Sequence, residues 1–168
     1  AELSLKNERI FPRGNLRETL LSALIRADFL ICIGSPTSRK KFQETFLQQH
    51  DSKIAEGEIK PNIIAKLKKR KLVAFCGIGR PEKFFSMLKK LNMQVIQQIS
   101  FPDHHVYSET QLTKILETAN KDNALVVTTE KDYVKLSSHF KKLIHPINVE
   151  LHLSKNEKLL EELKSLAS

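Results

Sequence analysis

Apolar positions along this chain switch repeatedly between a period near 3.6 and short continuous runs, so helices and buried strands are expected to alternate. Leu16, Leu20, Leu21 and Leu24 form a helical stripe opened by Asn15, with Glu18 in capping-box position. A strand is predicted over Asp28 to Ile33, followed by a helix with Ser35 as N-cap and Pro36 as its first residue, fading near Gln49. Lys53 to Ile59 alternates weakly around Gly57 and reads as an edge strand, and Asn62 as the cap of a short basic helix.

The second half is patterned more sharply. Lys71 to Cys76 is an apolar strand, Gly77 to Arg80 a tight loop, and Pro81 opens a helix expected to bury Phe84, Phe85, Leu88 and Leu91. A strand follows from Gln94 to Phe101. Ser108 and Gln111 have capping-box spacing ahead of a helix with Leu112, Ile115, Leu116 and Ala119 on one face, ending at Lys121 to Asn123. Ala124 to Val127 is a short buried strand, Thr129 and Asp132 mark a helix start, and Ile147 to Leu153 alternates as a last strand. Leu159, Leu160, Leu163 and Leu166 stripe the closing helix. Strands separated by helices imply an α/β fold, a three-layer, mainly parallel sheet of about five or six strands with helices on both faces. With no repeat, low-complexity tract or Gly/Ser linker, residues 1–168 read as a single domain.

Composition narrows the partners more than the fold. The 168 residues are 40% hydrophobic and 28% charged, a globular balance. The net charge of +9 favours polyanions: nucleic acid, phosphorylated substrates or an anionic membrane surface. The basic run Lys66 to Lys71 reads first as a solvated helix end carrying cations near its C-terminus, with a membrane surface as the alternative. Cys32 and Cys76 each sit inside an apolar run without CxxC spacing and read as buried free thiols of a reducing compartment. Neither a membrane span nor a signal peptide is legible, so membrane contact is expected to be peripheral, and a chain that begins at Ala1 is expected to be an excised portion of a larger protein.

Polar clusters collect where strands end: GIGRP after one, FPDHH after the next, TTEKD after the third. In an open parallel sheet those ends face one ligand-binding crevice, and helix N-termini there favour anions. His104 and His105 beside Asp103 suit proton transfer or the orientation of a base, or alternatively a plain turn shaped by Pro102 and Asp103. Consecutive side chains chelate one metal poorly. Arg80, in a glycine-bracketed loop where close backbone approach is possible, is a phosphate ligand candidate. Glu18 has a complete explanation as a capping residue, yet its free oxygen can also serve magnesium. Thr129 to Asp132 reads as a capped helix start rather than as catalytic machinery.

FPRGNLRE at Phe11 to Glu18, GIGRPEKFF at Gly77 to Phe85, FPDHH at Phe101 to His105 and TTEKD at Thr128 to Asp132 resemble, in order and spacing, motifs of the tetraacyldisaccharide 4'-kinases. The resemblance runs from Phe11 to about Leu136 and implies a carboxyl-terminal portion of a P-loop-related kinase. Such an enzyme uses ATP and Mg2+ to phosphorylate the 4'-hydroxyl of a lipid A disaccharide precursor at the cytoplasmic face of the bacterial inner membrane. It further implies His104 as the partner of an aspartate in the amino-terminal P-loop half, with Asp103 in support, and Arg17 and Glu18 as aids to phosphate and magnesium binding. The family carries a small residue and a proline where this chain has Arg13 and Asn15. GxxxxGK[ST] does not occur in the sequence, so this polypeptide alone is expected not to transfer phosphate.

Two rival classes follow from the residues themselves. A nucleic-acid-binding module is suggested by the charge and disfavoured by the motifs, with 7% aromatic residues and no finger, RNP or recognition-helix pattern. The other is a degenerate stand-alone interaction domain.

Overall fold

The computed structural model describes residues 9–14, 16–46, 54–62, 65–154 and 157–166. The chain divides into two compact units, Ala1–Lys60 with Glu150–Ser168, and Pro61–Val149. The strands are β1 (Leu30–Ile33), β2 (Ile54–Asn62), β3 (Lys71–Cys76), β4 (Gln94–Ser100), β5 (Leu125–Thr129) and β6 (Ile144–Ser154). The helices are α1 (Leu20–Arg26), α2 (Pro36–Phe46), α3 (Pro81–Lys90), α4 (Glu109–Lys121), α5 (Glu130–Tyr133), α6 (Ser138–Lys141) and α7 (Glu157–Leu166). The expected α/β architecture and its count of about six strands are both present among the described residues.

In the Pro61–Val149 unit the strands lie in the order β6-β5-β3-β4, every neighbouring pair parallel. β3 is central, and its unbroken apolar run is explained by burial on both faces. Val73 and Phe75 pack on one side with Val126, Ile144, α4 residues Leu112, Ile115 and Ala119, and Phe140 of α6. Leu72, Ala74 and Cys76 pack on the other with Val127, Ile147, Leu67 and α3 residues Phe84 and Leu88. Each large side chain taken fully out of water in this way contributes about 1.5–3 kcal/mol. The α4 capping box is complete: Ser108 Oγ accepts the Gln111 N–H at 3.2 Å, and Gln111 Oε1 accepts the Ser108 N–H at 3.0 Å. Leu91 was expected inside, but it is the C-cap of α3 and is exposed, because the helix ends one residue earlier and turns through Asn92 at φ 54°.

The other unit departs more from expectation. α1 starts at Leu20 with Thr19 as N-cap, its side chain accepting from the Ser22 N–H at 3.1 Å. Leu16 is drawn into an extended bridge with Ile10 instead of the first helical turn. Glu18 therefore precedes the helix and pairs with Arg26 rather than capping it; Asn15 lies outside the described residues. β2 is not an edge strand: β1 and β6 flank it, and Gly57 leaves room for Leu151 and Leu153 of β6. Asn62 ends β2, and the basic segment after it is a single 3-10 turn, Ala65–Leu67. Ser35 caps α2 as expected, its Oγ accepting from the Ser38 N–H, while the expected end near Gln49 lies outside the described residues. Arg39 of α2 donates to the carbonyl of Gly34, just after β1, and to that of Gly57 within β2, and pairs with Glu56 at 3.2 Å. Of the closing leucine stripe, Leu159 is buried while Leu160 and Leu163 are exposed.

Candidate functional site

Because β5, β3 and β4 are adjacent and parallel, the loops after all three leave the same edge of the sheet. The 77–80 loop, the 101–108 loop and the start of α5 meet there. What ties them together is Asp132, which has no exposed surface. Its Oδ2 accepts the Gly77 N–H at 2.9 Å and the Thr129 hydroxyl at 2.7 Å, and its Oδ1 accepts the Lys135 ammonium at 2.9 Å. Lys135 reaches on to the His105 carbonyl at 3.4 Å. One carboxylate thus joins β3, α5 and, through Lys135, the loop after β4. Burial alone raises a carboxyl pKa, but the donors from Gly77, Lys135 and Thr129 outweigh it and hold Asp132 below the ordinary 3.8.

The packing behind the rim is aromatic. Phe75, Phe101 and Tyr107 meet edge to face, and the His105 ring stacks on Phe101 with centroids 4.7 Å apart. A Cβ on Gly77 would fall 2.7 Å from the Tyr107 hydroxyl and 3.1 Å from the Pro102 carbonyl, so only glycine allows this approach. Burial, then the neighbouring Asp132 charge, raise the Tyr107 phenol well above its ordinary value. Among the described residues the buried Thr128 hydroxyl has no hydrogen-bond partner, and the buried Tyr107 hydroxyl has none beyond the neighbouring Asp132. Cys76 ends β3 close by, and burial with the charges of Asp132 and Glu82 pushes its thiol up to about 12, which makes it a packing residue and not a nucleophile.

On this base stands an exposed polar turn. Asp103 Oδ1 accepts the His104 N–H at 3.0 Å and the Lys131 ammonium at 3.2 Å, while Oδ2 lies 3.9 Å from His104 Nε2. His104 has a left-handed backbone, φ 61°, and its side chain is 76% exposed. The hydrogen bond from Lys131, ahead of its charge and that of His104, holds the Asp103 carboxyl below its ordinary value.

The two neighbouring histidines have separate roles. His105 Nε2 lies 3.1 Å from Gln111 Oε1, an oxygen that already accepts from Ser108, so Nε2 is the donor and the ring is locked into the α4 cap. His104 instead presents its imidazole to solvent beside a carboxylate, an arrangement that can accept, hold or pass a proton.

Of the residues singled out in the sequence, Asp103, His104 and Arg80 belong to the Pro61–Val149 unit. Arg80 is exposed as the N-cap of α3, one residue beyond Gly79, where an added Cβ would lie 3.1 Å from Asp103 Oδ2. Arg17 and Glu18 belong to the other unit; Arg17 is exposed, and both carboxylate oxygens of Glu18 are taken by Arg26. Exposed cations and strand-end backbone fit a phosphate-bearing ligand. Among the described residues no group of three His, Cys, Asp or Glu side chains gathers to hold a metal ion. Sequence reasoning read Asp132 as part of a capped helix start, which it is, but missed its carboxylate as the junction of three loops. It also missed Gly77, Tyr107 and Lys135; the available signal was a glycine placed directly after a buried strand.

A parallel sheet with helices on both faces and polar loops at its carboxyl edge places the protein in the three-layer α/β class shared with P-loop kinases. The family described as Tetraacyldisaccharide-1-P 4'-kinase matches residues 1–168, and the chain belongs to that family. It is 36% identical over 146 residues to "Tetraacyldisaccharide 4'-kinase" of Paramagnetospirillum magneticum, covering 86% of this chain and 44% of that protein. The corresponding protein of Bradyrhizobium sp. is 35% identical over 136 residues, 80% of this chain and 39% of that one. That of Gluconobacter oxydans is 36% identical over 148 residues, 86% and 43%. The chain thus spans less than half the length of these curated relatives. No solved structure matches it. No helix among the described residues is long and apolar enough to cross a membrane.

Proposed function

We propose that this chain is the carboxyl-terminal portion of an ATP-dependent kinase that phosphorylates the 4'-hydroxyl of a tetraacyldisaccharide 1-phosphate in lipid A biosynthesis. The observation that supports this reading is the Asp103–His104 turn, an exposed imidazole paired to a carboxylate at the carboxyl ends of adjacent parallel strands. In this reading an aspartate of the P-loop half takes the proton from the reacting hydroxyl, His104 is paired with that aspartate, and Asp103 supports His104. Positioned proton transfer of this kind accelerates a reaction about 10²–10⁴-fold.

ATP phosphates supply the transferred group. Arg80 and Arg17 would hold phosphate oxygens, since guanidinium groups match them in shape and charge. Glu18 can serve Mg2+ only by releasing Arg26, because both its oxygens are engaged. The sequence has no GxxxxGK[ST], so the phosphate cradle belongs to the amino-terminal half and the chain alone is inactive. The net charge of +9 suits a peripheral place on an anionic inner-membrane surface, facing the cytoplasm, where the lipid substrate would be met.

The test joins this chain to the P-loop half of a relative and measures phosphate transfer to the disaccharide. The joined protein should be active, His104→Ala should lose at least about 100-fold in kcat, and the chain alone should show no transfer. Activity untouched by His104→Ala removes that residue from the mechanism; activity in the chain alone removes the need for a second half.

A further inference from the structure

Asp103 is held from two sides. Oδ1 takes donors from its own turn, the His104 N–H, and from α5, the Lys131 ammonium, which leaves Oδ2 as the oxygen that faces the imidazole. An ion pair this exposed normally contributes little, because ordering a long side chain offsets the attraction. Lys131 differs in where its backbone comes from. It is the second residue of α5, whose first turn is capped by Thr129, with the Asp132 N–H donating to Thr129 Oγ1 at 3.1 Å. The residue that follows it is the fully buried Asp132, fixed to Gly77 and Lys135. Only the lysine stem remains to be ordered, and its target is across a rim already closed by the same buried carboxylate.

We propose that Lys131 is a positioning residue for His104, locking the Asp103 carboxylate so that its second oxygen faces the imidazole. This rests on the reading of His104 as the group this chain brings to phosphoryl transfer. With Lys131 removed, one backbone N–H holds Asp103, the carboxylate rotates, and the three-quarters exposed imidazole loses its fixed neighbour.

The geometry can be read in the purified chain without any activity. Three-bond couplings of His104 measured by NMR report whether its side chain keeps one rotamer. Lys131→Met should average those couplings as fully as Asp103→Asn does, the double variant should go no further, and Lys131→Arg should retain the parent values. The Asp103 carboxyl should titrate higher in Lys131→Met than in the parent. Parent-like couplings in Lys131→Met, or loss in Lys131→Arg equal to that in Lys131→Met, overturn the proposal. In the joined kinase, Lys131→Met should lower kcat roughly tenfold with KM unchanged, the signature of misplacement rather than lost binding. A kinase indifferent to His104→Ala, with couplings that respond as expected, would refute the catalytic reading while upholding the Lys131 geometry.

Discussion

Asp132 and Asp103 stand on the two sides of one rim, and each is a carboxylate held below its ordinary pKa by donors. They differ in what surrounds them. Asp132 is fully buried and satisfied by three elements, so its environment fixes the loops; Asp103 is 43% exposed, so its environment can respond to a ligand. The same residue type is therefore a structural junction in one place and an exposed group open to a ligand in the other, and dielectric surroundings decide which.

The largest expected effect comes from breaking the buried side. Asp132→Ala strands the Gly77 N–H, the Thr129 hydroxyl and the half-buried Lys135 ammonium at once. The expected loss is about 3–5 kcal/mol. Both tyrosines, Tyr107 and Tyr133, lie in the Pro61–Val149 unit, so tyrosine fluorescence in a urea titration reports that unit alone. Acid should act through the same group. A carboxyl with a depressed folded pKa contributes its full stability above the unfolded value, near 3.8, and loses it as pH falls through the lower folded value. Asp132→Asn should flatten that part of the pH–stability curve, and an unchanged acid limb would place the titration elsewhere.

Gly77 and Gly79 sharpen the contrast at the next scale. Gly77→Ala drives a methyl group toward the Pro102 carbonyl and the His105 Cβ, atoms that cannot swing away, and overpacking of this kind costs about 1–3 kcal/mol. Gly79→Ala meets the end of the exposed Asp103 side chain, which needs to give by only a few tenths of an ångström, so unfolding should change by no more than about 0.5 kcal/mol. Equal losses in the two variants would show that the exposed turn is as rigid as the clamp beneath it.

What could be read from sequence follows the same division. Lys71–Cys76, the α3 start at Pro81 and the Ser108/Gln111 capping box are local signals, set by apolar runs and by side chains three residues apart, and all three are where the pattern put them. The start of α1 was misread because Leu16 fits a helical stripe equally well, and only its pairing with Ile10 removes it. β2 was misread as an edge because Gly57 marks a weak strand as well as a close approach, and the approaching residues, Leu151 and Leu153, lie almost a hundred positions away. The candidate site divides likewise. Asp103, His104 and Arg80 were visible as unusual polar residues at strand ends. The junction at Asp132 was not, since Gly77 becomes its neighbour only when β3 and β5 pair.

A small expected change in stability carries the sharpest statement about the turn. His104 is one of three non-glycine residues with positive φ among the described residues; the other two, Asn92 and Asn123, are asparagines, which accept that conformation readily. For histidine the left-handed region costs about 1 kcal/mol, and little packing offsets it, because the side chain is 76% exposed. His104→Gly should therefore leave unfolding unchanged or raise its free energy by up to about 1 kcal/mol, the relief of strain being partly offset by a freer unfolded chain. In the joined kinase the same substitution should lose as much activity as His104→Ala. A variant that is both less stable by more than about 1 kcal/mol and fully active would mean that the imidazole holds the turn together, and the chemistry would then have to be sought at another residue of the rim.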